Sequence, residues 1–263
     1  MKRFSNVFKA SALAVFLLTA CKKQDQTIEE KEITTEVLSR IAALGFGTSS
    51  VEIHEDGYMV EGDIILTEEY LNSRPDYQLL RVGDEEQYRT TNLVTGLPRV
   101  IKVSLSTKLP SSYIAALDEC LGRYNALNLG LTFQRVSSGA NINIINGNGN
   151  YLASAGFPTS SGQPYSQVKL NARAMGNQPQ STVATIIAHE LGHCIGFRHT
   201  DYMDRSYSCG GAKTNEGAST VGAIHIPGTP TGPDAKSWML SCIRSGENRP
   251  FNNNDKTALN YLY

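Results

Sequence analysis

The sequence predicts an α+β fold, on three observations. Short β-branched runs such as Val100–Leu105 and Asn141–Ile145 alternate in the manner of half-buried strands. Between and after them lie stretches with helical apolar spacing, clearest over Tyr113–Leu127 and from Pro179 to about Cys194. Gly-, Asn- and Ser-rich segments separate these runs, as turns require. At 263 residues and 40% hydrophobic, the chain is long enough to bury one or two sizeable cores.

Composition excludes several functions. Twenty-four Lys plus Arg against 25 Asp plus Glu leave a formal charge of −1, with no basic run to track phosphates, so nucleic acid is not an expected partner. No apolar stretch is long enough for a secure bilayer span. The start of the chain reads as an export signal: Lys2 and Arg3, an apolar segment from about Ala10 to Leu18, and the small-residue exit Leu18-Thr19-Ala20-Cys21. That exit resembles a bacterial lipobox, in which Cys21 becomes the acylated N-terminus. Residues 1–20 are then a lipoprotein signal peptide, and the polar residues from Lys22 to Glu32 begin a tether. The expected location is a bacterial outer membrane or cell surface, with lipid as the only membrane contact.

Further elements follow in order. Ile33–Ala43 reads as a helix that Gly45-Phe46-Gly47 breaks, and strand-like alternation marks Val51–Ile53 and Tyr58–Leu66. Gly83–Thr91 is polar and turn-prone, a candidate linker that closes a segment over residues 21–91. A second unit, 92–263, opens with the Val100–Leu105 strand. Tyr113–Leu127 places Ile114, Leu117, Leu121 and Tyr124 on one face. Strands are expected at Leu131–Phe133, Asn141–Ile145 and Val168–Leu170, with a long surface loop over Asn146–Pro164. The helix introduced by Pro179 has Ser181 or Thr182 as its candidate cap.

That helix carries the strongest signal, His189-Glu190-Leu191-Gly192-His193-Cys194-Ile195-Gly196-Phe197-Arg198-His199. Histidines four apart project from one helical face, a separation that suits two imidazoles on one zinc ion. Gly196 ends the helix at little conformational cost, so the chain turns back and His199 approaches as a third ligand. Glu190 faces the open metal position, where its carboxylate takes a proton from water.

Export also governs the cysteines. Apart from Cys21 there are four, Cys120, Cys194, Cys209 and Cys242; an even count favours two disulfides, with buried free thiols as one rival and a four-thiolate zinc site, which lacks any CxxC pair here, as a weaker one. Cys194 is expected to face the core and to pair with Cys209 or Cys242.

The HExxHxxGxxH pattern resembles the metzincin zinc endopeptidases, and HELGHCIGFRHTDY is similar to the bacterial HEIGH-type metallopeptidases, with Leu191 in place of the isoleucine. The resemblance spans roughly Leu97 to Tyr263. It implies a twisted, mostly parallel sheet with an antiparallel edge strand, packed on the active-site helix, and a smaller C-terminal subdomain. It also implies that Asn141–Ile145 is the edge strand for extended substrates, that Ser237-Trp238-Met239 is the methionine turn with Met239 beneath the metal, and that Asp255–Tyr263 is the final helix. Several metzincins place a tyrosine two residues after that methionine; here the position is Ser241. Asp201 and Asp204-Arg205 either orient His199, tie down the chain or sit in a solvated loop.

The implied protein is a monomeric Zn²⁺-dependent endopeptidase acting on protein or peptide substrates, with Glu190 as general base and acid. A surface lipoprotein of binding or adhesion type with a structural or relic zinc site is the alternative. The segment Val60-Glu61-Gly62-Asp63-Ile64 resembles the Gly-Asp stretch of astacin-type propeptides, in which an aspartate occupies the metal's open position. This makes Asp63 a latency ligand within a pro-region, released by cleavage near Arg89–Thr95; a plain turn between two strands is the competing reading.

Overall fold

Thr34 starts the first helix, α1 (Thr35–Ala43), its hydroxyl accepting from Val37 N at 3.2 Å. An antiparallel meander follows, β1 (Glu52–His54), β2 (Gly57–Val60) and β3 (Ile64–Leu66), then the single-turn α2 (Glu68–Leu71), capped by Thr67. Next come β4 (Tyr88–Arg89), β5 (Arg99–Leu105), α3 (Tyr113–Asn125), β6 (Leu131–Arg135), β7 (Ile142–Asn146), β8 (Ala153–Gly156) and β9 (Gln167–Leu170). The chain closes with α4 (Ala172–Met175), the long α5 (Gln180–Ile195), α6 (Ser206–Cys209), β10 (Ile224–His225) and α7 (Asn253–Leu262). This computed structural model describes residues 31–44, 46–72, 87–213, 223–230 and 232–263. The expected signal segment and Cys21, most of the expected tether, Gly45 and the first part of the candidate linker Gly83–Thr91 lie outside the described residues. Among the described residues no helix is long and apolar enough to cross a membrane.

One sheet of eight strands has the order β1-β2-β3-β8-β9-β7-β5-β6. Pairings β5–β6, β5–β7, β7–β9 and β3–β8 are parallel, whereas β8–β9 is antiparallel. The mostly parallel sheet with an antiparallel strand is therefore present, but Asn141–Ile145 is not that strand. It forms β7, hydrogen-bonded on both sides and interior to the sheet. From β8 to β6 the antiparallel strand is β8, paired so with β9 and lying inside the Asn146–Pro164 stretch expected to be a surface loop. Its residues Ala153, Ser154, Ala155 and Gly156 are all buried. Small residues buried on both faces leave no alternation to read, which is why the strand escapes a hydropathy pattern.

The main core lies between the sheet and α3 and α5, with Leu117, Leu121, Tyr124, Ile187 and Leu191 meeting Ile101, Val103, Ile142 and Ile144. Ile114 is the exception to the predicted α3 face; it is 41% exposed, and Tyr113, Ala116 and Cys120 complete the buried stripe instead. A second core joins Val37, Ile41, Phe46, Tyr58, Val60, Ile64 and Tyr70 to Phe157, which is contributed by the chain just after β8. α5 has Pro179 at its N-cap and no side-chain cap, so neither Ser181 nor Thr182 serves there. Gly196 ends the helix with φ 111°, a conformation open to glycine.

The linker expectation changes from Gln87 onward. Gln87, Tyr88 and Thr90 are buried, β4 pairs with β10, and Arg198 N donates to Tyr88 O at 2.9 Å. The Arg89 end of the Arg89–Thr95 stretch is thus hydrogen-bonded into the fold, with Thr90 N donating to Gly196 O at 2.8 Å, whereas Thr95 is exposed.

The cysteines also depart from expectation. Cys209 and Cys242 form the disulfide, with Cα atoms 5.1 Å apart, while Cys120 and Cys194 are free and buried. Cys194 does face the core, and that is why it does not pair: its side chain is packed among α3 and α5 residues, away from the loops that carry the other two. Those loops are joined by Cys242 N donating to Ser208 Oγ at 3.0 Å, which brings the bonded pair together.

Candidate metal centre

α5 projects His189 and His193 from one face, their Nε2 atoms 3.1 Å apart. The turn at Gly196 brings His199 back, its Nε2 3.3 Å from that of His189. The outer nitrogens fix these orientations: His189 Nδ1 donates to Trp238 O at 2.9 Å and His193 Nδ1 to Phe197 O at 2.8 Å. With both Nδ1 atoms donating outward, the facing Nε2 atoms carry lone pairs. Lone pairs converging at about 3 Å repel unless a cation lies among them, so the donor set suits a metal ion. Asp63 joins the group, with Oδ2 3.1 Å from His199 Nε2 and 3.5 Å from His189 Nε2. One ligand atom from each of these four residues falls within 4.8 Å of the others.

Glu190 stands beside the cluster, 2% exposed, and its Oε2 finds no hydrogen-bond partner among the described residues. Burial, aided by the Asp63 charge, pushes its carboxyl above the usual range, which favours a group able to accept and return a proton. Burial alone would raise Asp63 as well. The histidine cluster it faces, His199 above all, outweighs that and holds the Asp63 carboxyl well below the usual carboxylate range. A cavity of about 280 Å³ opens beside Glu190 and His189, bounded by Asp63, Tyr151, Ile186, Trp238 and Leu240.

The methionine is placed beneath the helix. Met239 is fully buried, and its Sδ lies where a Cβ on Gly192 would come within 2.6 Å. A side chain at 192 would push the Met239 thioether out of this packing, so glycine there lets the helix and the turn lie close together.

Residues 58–263 match the sequence profile of the dual-action HEIGH metallo-peptidases. The chain belongs to this family. It is a metallopeptidase, and so a hydrolase. Among solved structures, one titled "Structure of myroilysin" is similar at 15% identity over 65% of this chain and 96% of that one, with a TM-score of 0.43. The high choriolytic enzyme 1, a hatching enzyme zinc-protease from Oryzias latipes (medaka fish), is similar at 16% identity over 62% of this chain and 88% of that one, with a TM-score of 0.41. No curated protein matches in sequence.

Of three further residues at this HEIGH-type centre, Asp201 and Arg205 stand among those the sequence offers for orienting His199 or tying down the chain, whereas the contact of Glu61 with Arg198 has no sequence signal. Glu61, at φ 55°, pairs with the fully buried Arg198, and its Oε2 lies 3.4 Å from His199 Nδ1. Arg205 donates to Glu61 O. Asp201, whose role was open, ties the chain after His199 to the chain after Met239 through Ser241.

Proposed function

We propose that this chain is an exported, lipid-anchored zinc endopeptidase, held latent by its own N-terminal segment. The observation that carries the reading is the convergence of His189, His193 and His199 Nε2 atoms beside the unpaired carboxylate of Glu190. The three imidazoles would hold the zinc ion. When bound, zinc polarises the scissile carbonyl and makes water more acidic. Glu190 takes the proton of the attacking water and delivers it to the leaving amine, so the atom that accepts and returns it is a carboxylate oxygen. Trp238 O and Phe197 O keep the His189 and His193 rings turned inward. With Ser241 where several metzincins carry a tyrosine, no phenol from that position reaches the developing oxyanion.

Latency rests on Asp63. Its carboxylate lies against His199 and His189, where it would compete with an attacking water, and the following residues pair with β8 at Ile64–Ala155 and Ile65–Gly156. Zinc in place of another metal, export and the lipid on Cys21 are parts of the same proposal, supported by the ligand set and by the N-terminal sequence.

The experiment is zinc content and casein cleavage of the trypsin-nicked protein and its Glu190→Ala variant. Zinc retained with cleavage lower by about 10²–10⁴-fold or more is expected. Undiminished cleavage overturns Glu190 as the base. Absence of chelator-sensitive cleavage in the parent overturns the peptidase reading in favour of a binding lipoprotein.

A further inference from the structure

We propose that Arg198 reads the substrate: once the segment bearing Glu61 leaves, its guanidinium receives the carboxylate of an acidic side chain close to the scissile bond. This rests on the latency reading above. Arg198 is fully buried, and its guanidinium donates to Glu61 Oε1. The plane of the guanidinium is covered by Phe46, 4.2 Å from Cζ to the ring centroid, and by Tyr202 at 5.5 Å. Glu61 and Phe46 both belong to the N-terminal segment. Tyr202 and the Tyr88 carbonyl that accepts from Arg198 N follow Arg81 in the chain and stay.

Position makes the guanidinium a reader of peptides. Arg198 adjoins the ligand His199 in sequence, so its distance from the metal centre is set by the turn after Gly196, whatever lies in the cleft. Glu61 stands two residues before Asp63, whose carboxylate is at the imidazoles and whose carbonyl accepts from Ala155 N at 3.0 Å. An extended peptide that takes this edge of β8 passes the same guanidinium.

The chemistry selects acids. A guanidinium is a planar cation whose paired N–H donors match a carboxylate. A neutral side chain at this point leaves the charge with poorer compensation, and polar groups left poorly paired in a closed site reject ligands strongly. Glu61 is, in this sense, the chain's own copy of the residue the site reads.

The test uses the full chain nicked by trypsin, for which Arg81 offers a bond in the stretch before Gln87, with the nick verified by mass spectrometry. The nicked enzyme digests a library of peptides blocked at both ends, so that only side chains supply carboxylates. Cleavage sites enriched in Asp or Glu at one position are expected. Exchanging Glu for Gln there should lower kcat/KM by about tenfold or more. Arg198→Lys should retain the preference, Arg198→Glu should reverse it toward Lys or Arg, and Arg205→Gln should leave it in place. Should Arg198→Glu fail to fold, as judged by circular dichroism, the Glu/Gln pair on the parent decides. Cleavage without acidic preference, or a preference that follows Arg205, overturns this inference and leaves the peptidase reading intact. No cleavage of any peptide by the zinc-loaded, nicked chain overturns both.

Discussion

Asp201 accepts from both the backbone N–H and the hydroxyl of Ser241, at 2.9 and 2.8 Å. Its other oxygen accepts from Ser208 Oγ at 2.5 Å, and Thr200 N donates to Met239 O at 3.0 Å. The chain leaving the third histidine is thereby laced to the chain leaving the methionine. A fully buried carboxylate with three donors holds that junction in one geometry.

Removing it should loosen the metal. Asp201→Ala leaves buried donors unsatisfied, at a cost of about 1–3 kcal/mol, and lets His199 drift. Zinc affinity, measured by competition with a chelating dye, should fall about 10–100-fold. Asp201→Asn keeps one acceptor and should lose less on both counts. Zinc affinity equal to the parent's in the Ala variant would mean the lacing does not position His199.

If Asp63 is the latch proposed above, Asp63→Ala in the intact, unnicked chain should raise casein cleavage, because the carboxylate would no longer compete with the attacking water. The nicked parent sets the upper limit for that gain. Equal activities of the intact parent and the variant would count against Asp63 as the latch.

Thiol titration should find Cys120 and Cys194 unreactive in the folded protein and reactive on unfolding, since burial pushes both thiols well above their usual pKa. Cys209 and Cys242 should react only after reduction. Their bond closes a separation of 33 residues, and reducing it should cost about 3–4 kcal/mol in denaturant unfolding. A second bridge between Cys120 and Cys194 in the isolated protein would refute this assignment.

Asp255 supplies a pH signature. Burial raises its carboxyl to about 7, against hydrogen bonds from Asn252 N, Ser237 and Trp238 N that lower it. A folded value raised above the unfolded 3.8 means that the native state holds this proton more tightly than the unfolded chain. The contribution is complete below about pH 4 and is lost as pH rises through about 7, a change of about 4 kcal/mol. Melting temperatures from pH 4 to 8 should therefore show the parent losing stability relative to Asp255→Asn. Parallel curves for the two proteins would place the Asp255 carboxyl in its ordinary range.

Local features of this protein could be read from its order of residues. The spacing of His189 and His193, the helix end at Gly196 and the return of His199 follow from helical geometry within eleven consecutive residues, so the centre was legible before any fold was known. The strands at 99–105 and 131–135 announced themselves through branched, alternating side chains. Tertiary structure decided what depends on distant partners. Asp63 meets His199 across 136 residues, and Glu61 meets Arg198 across 137; the sheet that brings β3 to β8 makes both contacts, and no local pattern encodes that pairing. The same holds for the buried strand of small residues at Ala153–Gly156 and for the choice of Cys209 with Cys242. Hydropathy and spacing describe a residue's immediate neighbours along the chain, whereas register between strands and the meeting of loops are set by packing the whole core at once.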